Sequence, residues 1–473
     1  MKMIVGGQKT NAANGKTIDV LNPVTHEIID TVPSATSEDV DRALAYAQEG
    51  AVIWGSKTAN ERADILFQAA AALMEEQENI AKLLTDETGK PYQQALGCVD
   101  LASQLFRGYA EQAKYMYGHV LPGTEDFITV NYEPLGVVAC INPFNFPIEM
   151  YGHKAGPALA AGNAVLVKPA SDTPLATIYM TEVLLRSGIP SGALQVITGS
   201  GGTVGRAIAD SPRVNAISLT GSTAVGIDIM EHAAKNMTRT FMELGGNDGV
   251  IIFEDADLDL AVEEAVAGRI YNCGQVCCAP KRYIVQNSIY DKFVEKLSLR
   301  VSRLNIGDPY DPDSDLSCLI SEKAAKDVEA QVDETIAAGA SCICGGKRFD
   351  TTFYPPTILT GVTRDMDVAK DMEIFGPVFP VIGFETEEEA LDILNQSSYG
   401  LSSGVITKDM TRALRAAKQM NAGGAVINGT GMFRTIHMPF GGHKMSGIGT
   451  EGLLETLKEM MRTKSIVFKG LQK

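Results

Sequence analysis

Two adjacent thiols, Cys277 and Cys278, lie in a short segment whose residue types suit nucleophilic chemistry. The segment reads NCGQVCCAP at residues 272–280, just after a predicted amphipathic helix over residues 258–271. A cysteine placed where backbone N–H groups converge has its thiolate favoured, and the thiolate is the nucleophile. The alternative is that these cysteines are small buried hydrophobic residues. Cys273 adds a third thiol, but no second paired-ligand motif or suitably spaced histidine accompanies it, so no metal site is expected.

Two polar side chains upstream are of the types that assist such a nucleophile. Glu243 precedes a glycine pair in MELGGND at residues 242–248, where a carboxylate facing a cleft can act as a general base toward water. Asn145 lies in INPFNFP at residues 141–147, between a predicted strand and a predicted helix, so its amide can donate to an oxyanion. The alternatives are a turn carboxylate for Glu243 and a loop-capping side chain for Asn145.

Between these groups lie three segments with the character of a dinucleotide site. Lys168 and Ser171 follow a predicted strand, at the position where dinucleotide folds contact the adenosine ribose. The glycine-rich loop at residues 199–205 departs from the full dinucleotide-binding spacing. Gly221 and Ser222 stand between a strand and a helix, where backbone amides can hold a pyrophosphate. A solvated lysine and a close packing turn are the alternatives for the first and last of these segments.

The elements that must position these residues alternate between strands and helices. A capping box begins at Thr36 and opens a region dominated by helices up to about Tyr117. Short β-rich runs then alternate with helical segments, which predicts an α/β fold with a doubly wound parallel-sheet cofactor domain. The strands are predicted at residues 135–141, 164–167, 194–197, 216–219 and 250–253. A second alternating stretch predicts an α/β catalytic domain, with strands at residues 282–285, 341–344, 378–384 and 404–407.

Composition excludes several classes of function. The net charge of −17 opposes binding to nucleic acid and to anionic membranes, so neither partner is expected. No apolar run approaches the roughly 20 residues that span a bilayer, and the N-terminus has no apolar run of signal-peptide length. Eight irregularly spaced cysteines do not form a disulfide framework, which predicts mostly free thiols in a cytoplasmic protein.

In this order the segments resemble the aldehyde dehydrogenase superfamily along almost the whole chain. The 34-residue spacing between Glu243 and Cys277 also fits the family, and it selects Cys277 over Cys278 as the nucleophile. Seven collinear blocks carry the resemblance: PFNFP at 143–147, KPAS at 168–171, GSTAVG at 221–226, ELGG at 243–246, GQVC at 274–277, EIFGPV at 373–378 and PFGGHK at 439–444.

The resemblance implies a role for each residue and a domain plan. Asn145 and the Cys277 N–H would form an oxyanion hole, and Glu243 would activate the hydrolytic water. The cofactor contacts implied are Lys168 with the adenosine ribose, Ser222 with the pyrophosphate, Glu373 with the nicotinamide ribose and Phe375 with the nicotinamide. The implied domains are a cofactor domain (1–120 and 134–245), a catalytic domain (246–440) and a small β element (121–133 and 460–473). That β element, with an edge strand at residues 463–468, implies a homodimer or homotetramer.

Two other functions on the same scaffold are alternatives. A CoA-acylating aldehyde dehydrogenase passes the acyl group to CoA and lacks the glutamate at position 243, whereas a catalytically silent binding protein of this family usually loses the nucleophile. Because both Glu243 and Cys277 are present, the sequence favours hydrolysis. A reversible disulfide between Cys277 and Cys278 is a further alternative.

The resemblance leaves the cofactor and the aldehyde to be decided by individual residues. NAD-selective relatives carry glutamate where this chain has Ser171, so NADP is expected to be accepted and even preferred, although Asp172 stands next to it. Glu149 and His153 lie on one helix face after Asn145, which predicts a polar wall for a semialdehyde or hydroxyaldehyde. Residues predicted to contact the substrate are Glu149, His153, Arg434 and Phe440. For Arg434, a surface ion pair with an acidic neighbour is the alternative.

Overall fold

The computed structural model describes residues 1–122 and 126–470. The helices are α1 (Ser37–Gly55), α2 (Ala59–Glu75), α3 (Gln77–Thr88), α4 (Tyr92–Ala113), α5 (Pro147–Ala161), α6 (Leu175–Arg186), α7 (Arg206–Ala209), α8 (Thr223–Ala234), α9 (Leu258–Ile270), α10 (Tyr290–Val301), α11 (Glu322–Ala337), α12 (Glu387–Asn395), α13 (Met410–Gln419) and α14 (Leu453–Glu459). The strands are β1 (Met3–Val5), β2 (Gln8–Thr10), β3 (Thr17–Leu21), β4 (Ile28–Pro33), β5 (His119–Val120), β6 (Phe127–Pro134), β7 (Val137–Ile141), β8 (Ala164–Lys168), β9 (Leu194–Val196), β10 (Ala216–Thr220), β11 (Arg239–Glu243), β12 (Gly249–Ile252), β13 (Arg282–Gln286), β14 (Ser341–Cys344), β15 (Thr357–Val362), β16 (Val378–Phe384), β17 (Tyr399–Gly400), β18 (Ser403–Ile406), β19 (Val426–Ile427), β20 (His443–Lys444), β21 (Gly447–Ile448) and β22 (Met461–Phe468).

The region before Tyr117 is less uniformly helical than the sequence predicts. Four strands, β1 to β4, precede α1, and β1 pairs with β9 at the edge of the first large sheet. These strands have only three to six residues, too few for a clear alternation of polar and apolar side chains. The predicted capping box is present, because the Thr36 hydroxyl accepts from the Asp39 N–H and the Asp39 carboxylate accepts from the Thr36 N–H.

The first large sheet is doubly wound, as predicted. Its strand order is β2-β1-β9-β8-β7-β10-β11-β21, and the five strands from β9 to β11 run parallel. Alternate residues of β7 and β8 face two separate apolar cores, which explains why these strands are apolar throughout. The chain order reverses between β7 and β10, and parallel sheets bind ligands at the carboxyl ends of strands near such a reversal.

The strand register brings four functional segments to one edge of this sheet. Ile141 aligns with Lys168 at the ends of β7 and β8, and Thr220 aligns with Glu243 at the ends of β10 and β11. Asn145, Ser171 and Ser222 follow three of these strand ends within four residues. The parallel arrangement therefore gathers residues that are widely separated in sequence.

The second large sheet has the order β14-β15-β16-β13-β12-β18-β19, and only β14 runs antiparallel to its neighbour. Its two faces are covered by separate apolar clusters, so it is the second α/β unit that the sequence predicts. The chain then returns to the first sheet, where β21 pairs with β11, and α14 packs on α4 and α5. The domain boundaries remain a prediction. They assign residues 441–459, which lead the chain back to the first sheet, to no domain.

A three-stranded sheet stands apart from the two large ones. Its order is β22-β6-β5, and β22 pairs antiparallel with β6 along eight residues of each strand. The predicted edge strand at residues 463–468 lies within β22. Residues 123–125 and 471–473 of the predicted β element lie outside the described residues. No helix among the described residues is long and apolar enough to cross a membrane.

Candidate active site

A cavity of about 300 Å³ lies where the loops after β7 and β11 meet the segment that precedes β13. Cys277, Asn145 and Glu243, the three predicted catalytic residues, all contribute to its lining. The predicted substrate residues line the same cavity: Glu149, His153, Arg434 and Phe440. Residues from four distant parts of the chain therefore converge on one cavity.

The predicted nucleophile segment, residues 272–280, is held in a left-handed conformation just before Cys277. Asn272, Cys273 and Gly274 have φ angles of 48°, 55° and 76°, a region that glycine and asparagine tolerate better than other residues. Gln275 clamps this turn, because its side-chain amide donates to the Asn272 carbonyl at 3.1 Å and accepts from the Ile320 N–H at 2.9 Å. The segment is therefore rigidly positioned before the thiols.

The two adjacent thiols differ in exposure and in the direction of their pKa shifts. Cys277 is partly exposed to the cavity, whereas Cys278 is buried, and all eight cysteines are free. The interaction with Cys278 raises the pKa of the Cys277 thiol, and burial raises it further. The same interaction lowers the pKa of Cys278. The two thiols therefore titrate as a pair rather than as independent groups.

Asn145 is tied directly to the nucleophile segment. Its Nδ2 donates to the Gln275 carbonyl at 2.8 Å, and its own carbonyl accepts from Asn272 Nδ2 at 3.2 Å. Among the described residues, the Cys277 N–H donates to no protein acceptor. The Asn145 amide and this N–H are thus two donors beside the partly exposed thiol.

Glu243 ends β11 and is almost fully buried, with 7% of its surface exposed. Burial raises the pKa of this carboxyl well above its usual value, and the negative charge of Glu451 raises it further. The cations Lys154 and Arg434 oppose both effects. A carboxylate with a raised pKa is a stronger base once ionised, which suits the activation of water.

The polar wall of the cavity is built around Glu451. Arg434 Nη2 lies 2.5 Å from Glu451 Oε2, Lys154 Nζ lies 3.5 Å from Glu451 Oε1, and the Arg434 guanidinium stacks over Phe440. Burial acts to raise the pKa of Glu451, but the neighbouring His153, Arg434 and Lys154 together outweigh it and hold the pKa well below the usual value. Burial lowers the pKa of His153 to about 3, so this side chain is neutral in the wall.

The predicted cofactor residues lie along the carboxyl edge of the first sheet. Lys168 is buried at the end of β8, and its Nζ donates to the Pro169 carbonyl at 3.0 Å. Burial lowers the pKa of Lys168 to about 8, with Asp172 acting against it. The Ser171 hydroxyl donates to the Gly199 carbonyl at 3.3 Å. Gly221 and Ser222 follow β10, and the Ser222 hydroxyl caps α8 by accepting from the Val225 N–H.

Glu373 and Phe375 approach the same edge from the second sheet. Glu373 Oε1 accepts from the Gly246 N–H at 3.2 Å, and Phe375 packs edge-to-face on Phe144 with 6.0 Å between ring centroids. A Cβ at Gly245 would lie 2.5 Å from Glu373 Oε2, so a side chain there would displace the Glu373 carboxylate. The glycine pair after Glu243 thus makes room for a carboxylate from the other sheet.

These groups fit a nicotinamide dinucleotide by the chemistry of their donors and acceptors. A lysine and a hydroxyl stand at the end of β8, and the N-terminus of the 12-residue helix α8 offers amides to a pyrophosphate. The Glu373 carboxylate can accept from ribose hydroxyls, and the Phe375 ring offers an apolar face beside it. Lys168, Ser171, Ser222 and Glu373 are the residues that would hold such a cofactor.

Comparison with known proteins decides the family. The model of the aldehyde dehydrogenase family matches residues 10–466. The chain belongs to the aldehyde dehydrogenase family. It is 38% identical over 465 residues to an NADP(+)-linked succinate-semialdehyde dehydrogenase of Escherichia coli K12, covering 98% of this chain and 96% of that protein. It is also 38% identical over 459 residues to a lactaldehyde dehydrogenase of Methanococcus aeolicus, covering 96% and 97%.

The aldehyde dehydrogenase fold is equally well matched. A crystal structure of betaine aldehyde dehydrogenase from Staphylococcus aureus in complex with NAD+ superposes with a TM-score of 0.97 at 35% identity, covering all of this chain and 95% of that one. The predicted family, fold class and reaction class, oxidation of a short aldehyde with a nicotinamide cofactor, are confirmed. The CoA-acylating and silent alternatives are not favoured.

Three charged residues near the site of this aldehyde dehydrogenase are not predicted from the sequence. Glu451 and Lys154 form the buried charge pair in the cavity wall, and Lys281 contacts both the nucleophile segment and Glu373. Lys154 could have been noticed as a lysine within helix α5, where 14 of 15 residues are buried. Glu451 and Lys281 lie in segments without a periodic pattern, so only the folded chain identifies their partners.

Proposed function

We propose that this chain oxidises a short semialdehyde or hydroxyaldehyde to its carboxylic acid, with Cys277 as nucleophile and Glu243 as general base. The observation that carries the proposal is the convergence of Cys277, Asn145 and Glu243 on one cavity. Because each residue type suits one step, the cavity contains a complete set of groups for addition to the carbonyl and hydrolysis of the acyl group.

The first step is addition of the Cys277 thiolate to the aldehyde carbon, which forms a C–S bond and places a negative charge on the former carbonyl oxygen. The Asn145 amide and the Cys277 N–H supply two donors to this oxygen. Each such donor contributes about 3–4 kcal/mol in comparable sites. Asn145 is already oriented by its bond to the Gln275 carbonyl, so little reorganisation is needed.

In the second step the adduct loses a hydride from the former aldehyde carbon, so that the C–H bond breaks, the C=O bond re-forms and a thioester remains on Cys277. A bound nicotinamide cofactor supplies the two-electron acceptor for this oxidation. Lys168, Ser171 and Ser222 would hold its adenosine and phosphate portion, while Glu373 would hold its nicotinamide ribose. Phe375 would lie along the nicotinamide ring.

Hydrolysis of the thioester requires Glu243 in its ionised form. The carboxylate accepts a proton from water as the water oxygen attacks the acyl carbon, and the C–S bond then breaks to release the acid and the Cys277 thiolate. Lys154 stabilises the ionised form of Glu243, whereas Glu451 disfavours it. The balance of these charges sets the pH at which hydrolysis becomes fast.

The charges of the wall support a substrate with a single polar tail. Among the cavity-lining residues the structure describes, Arg434 is the one cation, and Glu451 already neutralises it. Glu149 adds a negative charge to the same lining. A monocarboxylate or a hydroxyl can bond to the remaining Arg434 N–H groups, whereas a phosphate dianion would need further cations. The two relatives named above are called after succinate semialdehyde and lactaldehyde, which both have such tails.

We also propose that NADP is accepted and preferred over NAD. Ser171 places a neutral hydroxyl where a carboxylate would repel a 2′-phosphate, and Lys168 is a nearby cation. Ser171→Glu should then lower kcat/KM for NADP by about tenfold or more and spare NAD, because like charges would be brought together. An unchanged NADP to NAD ratio would count against this placement of the 2′-phosphate. Ser302→Glu, at the exposed end of α10, is the control.

A homodimer or homotetramer is proposed from the β element. Within the described residues β22 pairs only with β6, so its other edge is open, and its exposed side chains include Ile466, Val467 and Phe468. An open edge with apolar side chains favours association with another copy. Light scattering of the wild type and of Val467→Asp tests this, with a reduced mass expected for the variant.

The proposed activity is tested by the absorbance of reduced cofactor with a panel of aldehydes. The panel is succinate semialdehyde, lactaldehyde, glyceraldehyde 3-phosphate, hexanal and benzaldehyde, each with NAD and NADP and with or without CoA. We expect the highest kcat/KM for one of the first two, with no need for CoA. Preference for hexanal or benzaldehyde would overturn the substrate class, and dependence on CoA would overturn hydrolysis.

A further inference from the structure

A buried ammonium group connects the nucleophile segment to the proposed cofactor carboxylate. Lys281, whose side chain is 1% exposed, donates from Nζ to the Cys277 carbonyl. The same Nζ lies 3.3 Å from Glu373 Oε1 and 6.0 Å from the centre of the Phe375 ring. One side chain therefore contacts the segment that carries the nucleophile and two residues on the cofactor side.

The backbone fixes Lys281 in this position. The N–H groups of Lys281 and Arg282 both donate to the Asp248 carbonyl, at 2.8 and 3.0 Å, where β13 begins beside β12. The lysine thus stands at the start of a strand of the second sheet and four residues after Cys277. That spacing lets its four-carbon stem reach back to the Cys277 carbonyl.

Acidic groups around Lys281 compensate for the burial of its positive charge. Glu373 is its ion-pair partner, and burial raises the pKa of the nearby Asp248 carboxyl to about 8 while the Lys281 charge lowers it. The Asp248 Oδ1 accepts from the Ser402 N–H, but its Oδ2 has no partner within the described part of the chain. The Lys281 charge also lowers the pKa of Cys277 and of Cys278. An ammonium here favours a thiolate and an oriented Glu373 together.

The neighbouring cation provides a contrast. Arg282 is equally buried, but its guanidinium donates to backbone carbonyls of Asn247, Ala369, Ile393 and Leu394, which is the pattern of a residue that only holds the fold. Lys281 instead contacts Glu373 and the carbonyl of the nucleophile itself. The difference lies in the partners rather than in burial.

We infer that Lys281 is a positioning residue that fixes the position of Glu373 relative to the Cys277 segment and stabilises the Cys277 thiolate. The inference rests on the proposed roles of Cys277 and Glu373. It assigns to one ammonium two effects that appear in different measurements, nucleophile reactivity and cofactor binding. Loss of the charge should weaken both, whereas loss of a purely structural lysine should lower only the stability.

The test compares Lys281→Met, which removes the charge and keeps the length, with Lys281→Arg, which keeps the charge. Lys323→Met, at an exposed position on α11, is the control for loss of a remote charge. Two measurements need no aldehyde: the rate of iodoacetamide alkylation of Cys277 in cofactor-free enzyme, located by mass spectrometry, and the cofactor Kd by calorimetry. Thermal unfolding of each variant shows whether it is folded.

For Lys281→Met we expect roughly tenfold slower alkylation and a roughly tenfold higher cofactor Kd, because the thiolate and Glu373 lose their cation. Lys281→Arg should recover most of both, and Lys323→Met should match the wild type. If Lys281→Met does not fold, Lys281→Gln, which keeps a donor for the Cys277 carbonyl, carries the same expectation.

A folded Lys281→Met or Lys281→Gln with wild-type alkylation and wild-type Kd overturns the inference, as does Lys281→Arg that is as impaired as Lys281→Met. A wild-type enzyme that is alkylated at Cys277 and binds cofactor but oxidises no aldehyde overturns the proposed function instead. The two failures are therefore distinguishable.

Discussion

Arg434 Nη2 lies 2.5 Å from Glu451 Oε2 in the wall of the cavity that Cys277 also lines. The Arg434 guanidinium is 4.1 Å from the centre of the Phe440 ring, which limits its movement. Because Glu451 supplies the counter-charge, Arg434 presents hydrogen-bond donors to the cavity without an excess positive charge. This arrangement favours short aldehydes with one polar group over apolar aldehydes and over phosphates.

The Arg434 side chain is expected to discriminate between polar and apolar aldehydes. In Arg434→Met, kcat/KM for the preferred polar aldehyde should fall by about ten- to a hundredfold, since a hydrogen bond to a charged group contributes roughly 1.5–3 kcal/mol. The value for hexanal should change little. Arg300→Met, which breaks an ion pair with Glu263 at the surface, is the control. An equal loss for both aldehydes would show that Arg434 supports the fold rather than the substrate.

Cys277 and Cys278 are expected to differ sharply in importance. Cys277→Ser should reduce turnover by about a thousandfold or more, because a serine hydroxyl is not ionised at neutral pH. Cys278→Ser should keep most of the activity, since Cys278 is less exposed than Cys277 and the 34-residue spacing from Glu243 selects Cys277. Steady-state rates and alkylation sites of both variants provide the measurement, and comparable loss in the two would contradict the assignment.

Glu243→Gln should separate the two halves of the reaction. We expect a burst of reduced cofactor equal to the enzyme concentration and then slow turnover, because thioester formation continues while hydrolysis loses its base. Rapid-mixing absorbance measures the burst, with the exposed Glu295→Gln as control. Steady-state turnover equal to that of the wild type would show that another group activates the water.

The wild-type rate of hydrolysis should rise with pH. The pKa of Glu243 is raised by burial and by Glu451, so the carboxyl is protonated and inactive as a base at low pH and becomes active only above the usual carboxyl range. Turnover under conditions where hydrolysis limits the rate should therefore increase as pH rises through this raised pKa. The Glu243→Gln variant should lack that increase, and an identical pH profile in both enzymes would refute the link.

Cofactor preference should also depend on pH, through Lys168. Burial lowers the pKa of Lys168 to about 8, so the side chain is positive below this pH and neutral above it. The ratio of kcat/KM for NADP to that for NAD should fall by a few fold between about pH 7 and pH 9, because the attraction for a 2′-phosphate is lost. Lys168→Met should have a lower ratio that does not change with pH. A constant ratio in the wild type would place the 2′-phosphate away from Lys168.

Much of the plan of the molecule follows from local sequence. The Thr36 capping box, most parallel strands of the two large sheets and the C-terminal strand β22 have patterns that depend on near neighbours in the chain, whereas β11 and β15 are not predicted from the sequence. The order and spacing of Glu243 and Cys277 likewise indicated the family and the type of reaction. The roles of the individual site residues remain predictions, although the fold brings Cys277, Asn145 and Glu243 to one cavity.

The charge state and pairing of the site residues needed the tertiary structure. His153 is predicted from the sequence as part of a polar wall, but its burial keeps it neutral, and Arg434 pairs with Glu451, 17 residues further along the chain. Lys281 forms an ion pair with Glu373, although three strands separate the two residues along the chain. Sequence patterns report the neighbours of a residue along a helix or strand, whereas desolvation and Coulomb interactions depend on which distant segments fold against it.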